Sequence, residues 1–68
     1  MRDLERQVWG AMSLSARPTR WIANIIGAPI PVAAHALRSL ERQGLVQRFR
    51  ARVRLSDGYA TFWTVALP

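Results

Sequence analysis

The sequence predicts an α+β domain in which three short helices precede a two-stranded β-hairpin, and three observations carry that reading. Ala33, Leu37 and Leu40 fall at i, i+4 and i+7, the spacing of one helical stripe, between Gly27-Ala28-Pro29 and Gly44-Leu45-Val46. After Gly44 the apolar period changes from helical to alternating, the signature of strands. Upstream, residues 3–12 and 19–26 also have helical spacing, and a serine- and proline-containing stretch without periodicity separates them.

The first helix carries Leu4, Val8, Ala11 and Met12 on its apolar side, with Asp3 and Glu5 near the positive end of its dipole. Residues 13–18 form a loop, with an extended piece at Ala16-Arg17 before the proline. Thr19 is the expected cap of the second helix, whose Ile22, Ile25 and Ile26 face inward and which Gly27 stops. A helix of about two turns is not stable alone and must pack crosswise on its neighbour. Proline is tolerated in the first turn of a helix, so Pro29 and Pro31 place the third helix start near residue 30. Val32, Ala33, Ala36, Leu37 and Leu40 supply its apolar surface, and His35, Arg38, Ser39, Glu41 and Arg42 are polar. Gly44 supplies the left-handed residue beyond its end, and Leu45-Val46 turns the chain back into the core.

In the hairpin Arg48, Arg50, Arg52 and Arg54 occupy one face of the outgoing strand, and Phe49, Ala51, Val53 and Leu55 the other. Ser56-Asp57-Gly58 breaks the run before a return strand through Tyr59, Thr61, Trp63, Val65 and Leu67. A two-residue Asp-Gly turn would set Arg52 opposite Trp63 and mix charge into the apolar face. A three-residue loop with Gly58 at positive φ instead pairs Leu55 with Tyr59, Val53 with Thr61, Ala51 with Trp63 and Phe49 with Val65. That register is the expected one, and it leaves all four arginines beside Ala60, Phe62, Thr64 and Ala66.

Composition narrows the function. The 68 residues are expected to be one domain with a core marginal for its size. With no cysteine and a single histidine, neither a disulfide framework nor a metal cluster is expected, and no cofactor is implied. The longest apolar stretch, residues 21–34, is interrupted by Asn24, Gly27, Pro29 and Pro31 and is too short to span a bilayer. The charged start is followed by no apolar h-region, so no signal peptide is expected and the cytoplasm is the expected location. A net charge of +6 and a pI near 11.8 favour a polyanionic partner. All ten basic residues are arginine, which suits forked contacts to phosphate and guanine and equally suits a GC-rich genome. The four acidic residues, Asp3, Glu5, Glu41 and Asp57, form no catalytic constellation with His35, and no glycine loop for phosphate is visible, so an enzyme is not expected.

Helix, helix, turn, helix and hairpin in that order resemble the winged helix-turn-helix DNA-binding superfamily, with its MarR- and ArsR-like transcriptional regulators, over nearly the whole chain. Thr19 resembles the family's cap before the turn, Ala23 its small residue at the helix crossing, and Gly27 its turn glycine. Leu37, Leu40 and Gly44-Leu45-Val46 resemble the end of the recognition helix and the entry to the wing. The resemblance implies double-stranded DNA as partner, helix 30–43 in the major groove and the wing on the backbone. Carried onto this chain, it implies DNA contacts from Thr19, Pro31, Val32, Ala34, His35, Arg38 and Arg42, and from Arg48, Arg50, Arg52 and Arg54 on the wing. The implied protein is a small prokaryotic or phage transcriptional regulator with no small-molecule ligand.

Within that reading the helix start is unusually apolar, so base readout rests on His35, otherwise a solvated surface residue, and on Arg38, which forks onto guanine or holds a phosphate. The wing arginines either contact phosphate or protect a solvated edge, and four with no intervening acid exceed what edge protection requires. Trp9, Trp21 and Trp63 read as core residues, although a partly exposed Trp9 on the first helix could anchor a homodimer. A winged-helix variety that binds left-handed DNA uses a wing tryptophan with a helix asparagine and tyrosine; here Trp63 is matched by Ala34 and Arg38, which excludes it. Two alternatives stay open: a protein-binding module using the apolar helix start, and an RNA-binding module using the basic wing and Phe62.

Overall fold

Two glycines set the corners of the helical part. Gly27 has φ 68° and Gly44 φ 76°, left-handed conformations that a β-carbon would strain. In the computed structural model, which describes residues 2–12, 15–52 and 58–66, they close the second and third of the helices α1 (Asp3–Ala11), α2 (Thr19–Ile26) and α3 (Ile30–Arg42). At the start of α3 the N–H groups of Val32 and Ala33 both donate to the Pro29 carbonyl at 3.0 Å, so the turn passes into helix without a side-chain cap.

Among the described residues three strands, β1 (Arg17–Pro18), β2 (Val46–Arg52) and β3 (Tyr59–Val65), form an antiparallel sheet in the order β1-β3-β2. The extended piece before α2 is therefore a strand, and the sheet has three members where the sequence predicts a two-stranded hairpin. Val8, Ile22, Ala36, Leu37, Leu40, Val46 and Trp63 make one core from all three helices and the base of the hairpin. Ala23 and Ala33 are buried beside it, small enough to let α2 and α3 approach closely.

Several inward assignments are corrected. Of the three α2 isoleucines only Ile22 is buried; Ile26 is half-buried and Ile25 is 56% exposed, because a helix this short presents one narrow face to α1 and α3. Trp21, expected in the core, lies outside it, whereas Val32 is exposed, as its place in the expected contact set requires. Pro18, not Thr19, occupies the cap position of α2 and makes no side-chain cap bond.

The hairpin register also differs. Ala51 faces Ala60, not Trp63, and Thr61, Trp63 and Val65 face Arg50, Arg48 and Val46 where the alternation predicts Val53, Ala51 and Phe49. The displacement along β3 is from position 63 to position 60, an odd number of residues, so it moves β2's inward set to the other face. The physical reason is at the base: Val46 and Trp63 both enter the core, and this phases Arg48, Arg50 and Arg52 onto their face. Phe49 and Phe62 oppose each other on the outer face, with ring centroids 6.3 Å apart and planes at 16°. The expected three-residue loop lies outside the described residues except for Gly58, as does Arg54.

Candidate nucleic-acid interface

The helical period of α3 divides its residues cleanly. Ala33, Ala36, Leu37 and Leu40 face the core, and Pro31, His35, Arg38 and Arg42 form an exposed stripe on the opposite side. Val32 is exposed and Ala34 partly so, which leaves every α3 residue in the expected contact set accessible.

The inner face of the hairpin carries a ladder of arginines and aromatic rings. Arg48 stands across from Trp63 with its guanidinium 5.9 Å from the ring centroid, and its Nε pairs with Glu41 Oε2 of α3 at 3.2 Å. Arg50 lies diagonally over Tyr59 at 5.9 Å, and Arg52 faces Tyr59 directly. Stacking lets the arginine stems cover apolar surface while the charged ends stay in water. The arginines accordingly lie beside Tyr59, Thr61, Trp63 and Val65, not beside Ala60, Phe62 and Thr64.

Thr19, placed in the contact set as a helix cap, accepts a hydrogen bond from Trp63 Nε1 at 2.8 Å and so joins α2 to the sheet. Arg17 stacks over Trp21 at 4.8 Å, a pair that sequence periodicity does not signal because the two residues belong to different elements.

A second cluster escapes sequence reasoning altogether. Glu5 of α1 is only 8% exposed, and its Oε1 accepts the Arg2 backbone N–H at 3.0 Å. Its Oε2 accepts the Ser39 hydroxyl and, at 3.1 Å, Gln43 Nε2, both from the C-terminal end of α3. The Arg2 backbone N–H, seconded by Ser39, holds this carboxyl below the usual glutamate range. Beside it a cavity of about 250 Å³ is lined by Arg2, Glu5, His35, Ser39, Arg42 and Gln43, among others. The one signal in the sequence is the i, i+4 spacing of Ser39 and Gln43, which says nothing of α1.

No protein-family model matches the chain, and no curated protein matches it. Solved structures do. A possible transcriptional regulator from Methanosarcina mazei Go1 superposes with a TM-score of 0.82 at 10% identity, over 96% of this chain and 56% of that one. The transcriptional regulator SlyA superposes with a TM-score of 0.69 at 18% identity, over 97% of this chain and 44% of that one. The fold is a winged helix-turn-helix. In its terms α2, the Gly27 turn and α3 are the helix-turn-helix, and β2 with β3 is the wing. The chain spans about half the length of these neighbours. Among the described residues no helix is long and apolar enough to cross a membrane.

Proposed function

We propose that this winged helix-turn-helix binds double-stranded DNA as part of transcriptional regulation, with α3 in the major groove and the wing arginines on the phosphate backbone. The observation that carries the reading is the joint exposure of two surfaces: the α3 stripe of Pro31, His35, Arg38 and Arg42, and the wing face of Arg48, Arg50 and Arg52. Glu41 and Arg48 link them directly. The structural neighbours, SlyA and the possible regulator from Methanosarcina mazei, agree with it. Arg48 already shares its charge with Glu41, so Arg50 and Arg52 carry more of the phosphate contact and Arg38 more of the base contact.

Titration of a mixed-sequence duplex into isotopically labelled protein tests this. The amides of α3 and the wing should shift together. Replacing Arg50 and Arg52 by alanine should weaken binding to all duplexes alike and lower the salt slope by about 0.9 for each phosphate no longer neutralised. Arg38→Ala should change the preference among sequences. A wild-type chain that shifts at neither surface would end the proposal.

One observation favours a second reading: Ile30 and Val32 at the start of α3 are 48% and 40% exposed, an apolar surface suited to a protein partner. If Val32→Asp abolishes association with a cellular protein while neither it nor Arg52→Ala changes duplex binding, that reading takes the place of the first.

A further inference from the structure

The flanks of α3 are not equivalent to its exposed stripe. Ser39 and Glu41 are two positions apart, which on a helix of 3.6 residues per turn is about 200° of rotation. Ser39 bonds Glu5 of α1, and Glu41 pairs with Arg48 of the wing. The first turn of α1 and the wing therefore stand on opposite sides of α3, with Pro31, His35, Arg38 and Arg42 between them. A helix lying in a major groove about 12 Å wide has a phosphate strand on each side. The wing serves one strand.

We propose that the cavity between α1 and α3 receives a backbone phosphate of the other strand, held by Arg2 from the start of α1 and Arg42 from α3, so that the domain clamps duplex DNA from both flanks. The proposal rests on the DNA-binding reading and adds a contact from an element outside the helix-turn-helix and the wing. Its geometry is the open cavity of about 250 Å³, roomy enough to admit a phosphate oxygen between the two helices. The electrostatics are favourable. Among the described residues the ion pairs are Arg6–Asp3 and Arg48–Glu41, so neither Arg2 nor Arg42 is neutralised by a carboxylate. Glu5 is the one acid on the cavity wall among the described residues; it keeps its negative charge, but against Arg2 and Arg42 the wall stays net positive, and both of its oxygens are turned to the Arg2 N–H, Ser39 and Gln43. Those bonds hold the backbone of Arg2 against α3 while its exposed side chain can reach outward. His35, also on the wall, adds an N–H donor.

Salt-dependent duplex binding of wild type, Arg2→Ala and Arg2→Lys, each followed by anisotropy of a labelled mixed-sequence duplex, decides the matter. Arg2→Ala removes only an exposed side chain and keeps the backbone N–H bond to Glu5, so its thermal unfolding should match the wild type. The expected result is a salt slope smaller by about 0.9 and binding about five- to tenfold weaker near 0.1 M salt, with the order of preference among sequences unchanged. Arg2→Lys should retain the slope. In wild type, but not in Arg2→Ala, the duplex should shift the Ser39 and Gln43 amides. A wild-type slope in Arg2→Ala, with the wild type binding DNA normally, overturns the clamp and leaves the DNA-binding reading standing. A wild-type chain that does not bind duplex overturns both.

Discussion

A buried indole N–H needs an acceptor, and for Trp63 that acceptor is Thr19 Oγ1. Thr19→Val keeps the shape and removes the oxygen, stranding the N–H in the core. Stability should fall by about 1–3 kcal/mol in urea denaturation, and Thr19→Ser should recover most of it. If Thr19 served its own helix instead, serine and valine would differ through helix content and the Trp63 indole resonance would not move. The burial of Trp63 is legible in the alternation of β3. Its partner is not, because 44 residues separate the two and a threonine after proline at a helix start resembles a cap. Sequence distance also hides Glu5 from Ser39, 34 residues away.

At the scale of elements, the helices are readable because their signals are local: apolar spacing within, glycine and proline at the ends. The wing is readable as a hairpin but not in register. Leu45 and Val46 are both apolar, so the sequence does not say which of them sets the phase of β2; Val46, at 2% exposure, does. Beyond its base the hairpin leaves the core, and burial no longer selects a face. Phe49 then offers a sharp test. Facing inward it would cost about 3–5 kcal/mol on truncation to alanine. Stacked on Phe62 at the outer surface, Phe49→Ala should cost about 1 kcal/mol, the scale of an aromatic pair. Equilibrium unfolding separates the two, and a loss above about 3 kcal/mol would reinstate the inward register.

The molecule as a whole is fastened at its two sides by polar contacts around a small core. On one side Thr19, Trp63, Arg48 and Glu41 connect α2, the wing and α3. On the other, Glu5 ties the first turn of α1 to the C-terminal end of α3. The order of elements and the exposed stripe of α3 can be read from periodicity; the placement of α1 on the far flank cannot, since it depends on how three helices cross. The Glu5 fastening makes that flank sensitive to protons. Because its bonds favour the carboxylate, the folded chain releases this proton at a lower pH than the unfolded chain does. Its contribution is therefore complete above the ordinary glutamate range and drains away as pH falls through the lowered value. Melting temperature should decline in that acid window, and less steeply in Glu5→Gln, which carries no titrating group there. Amide exchange at Ser39, Gln43 and along α1 should quicken before exchange at Trp63 does. The expected outcome is a domain that acid loosens first on the flank where Arg2 stands.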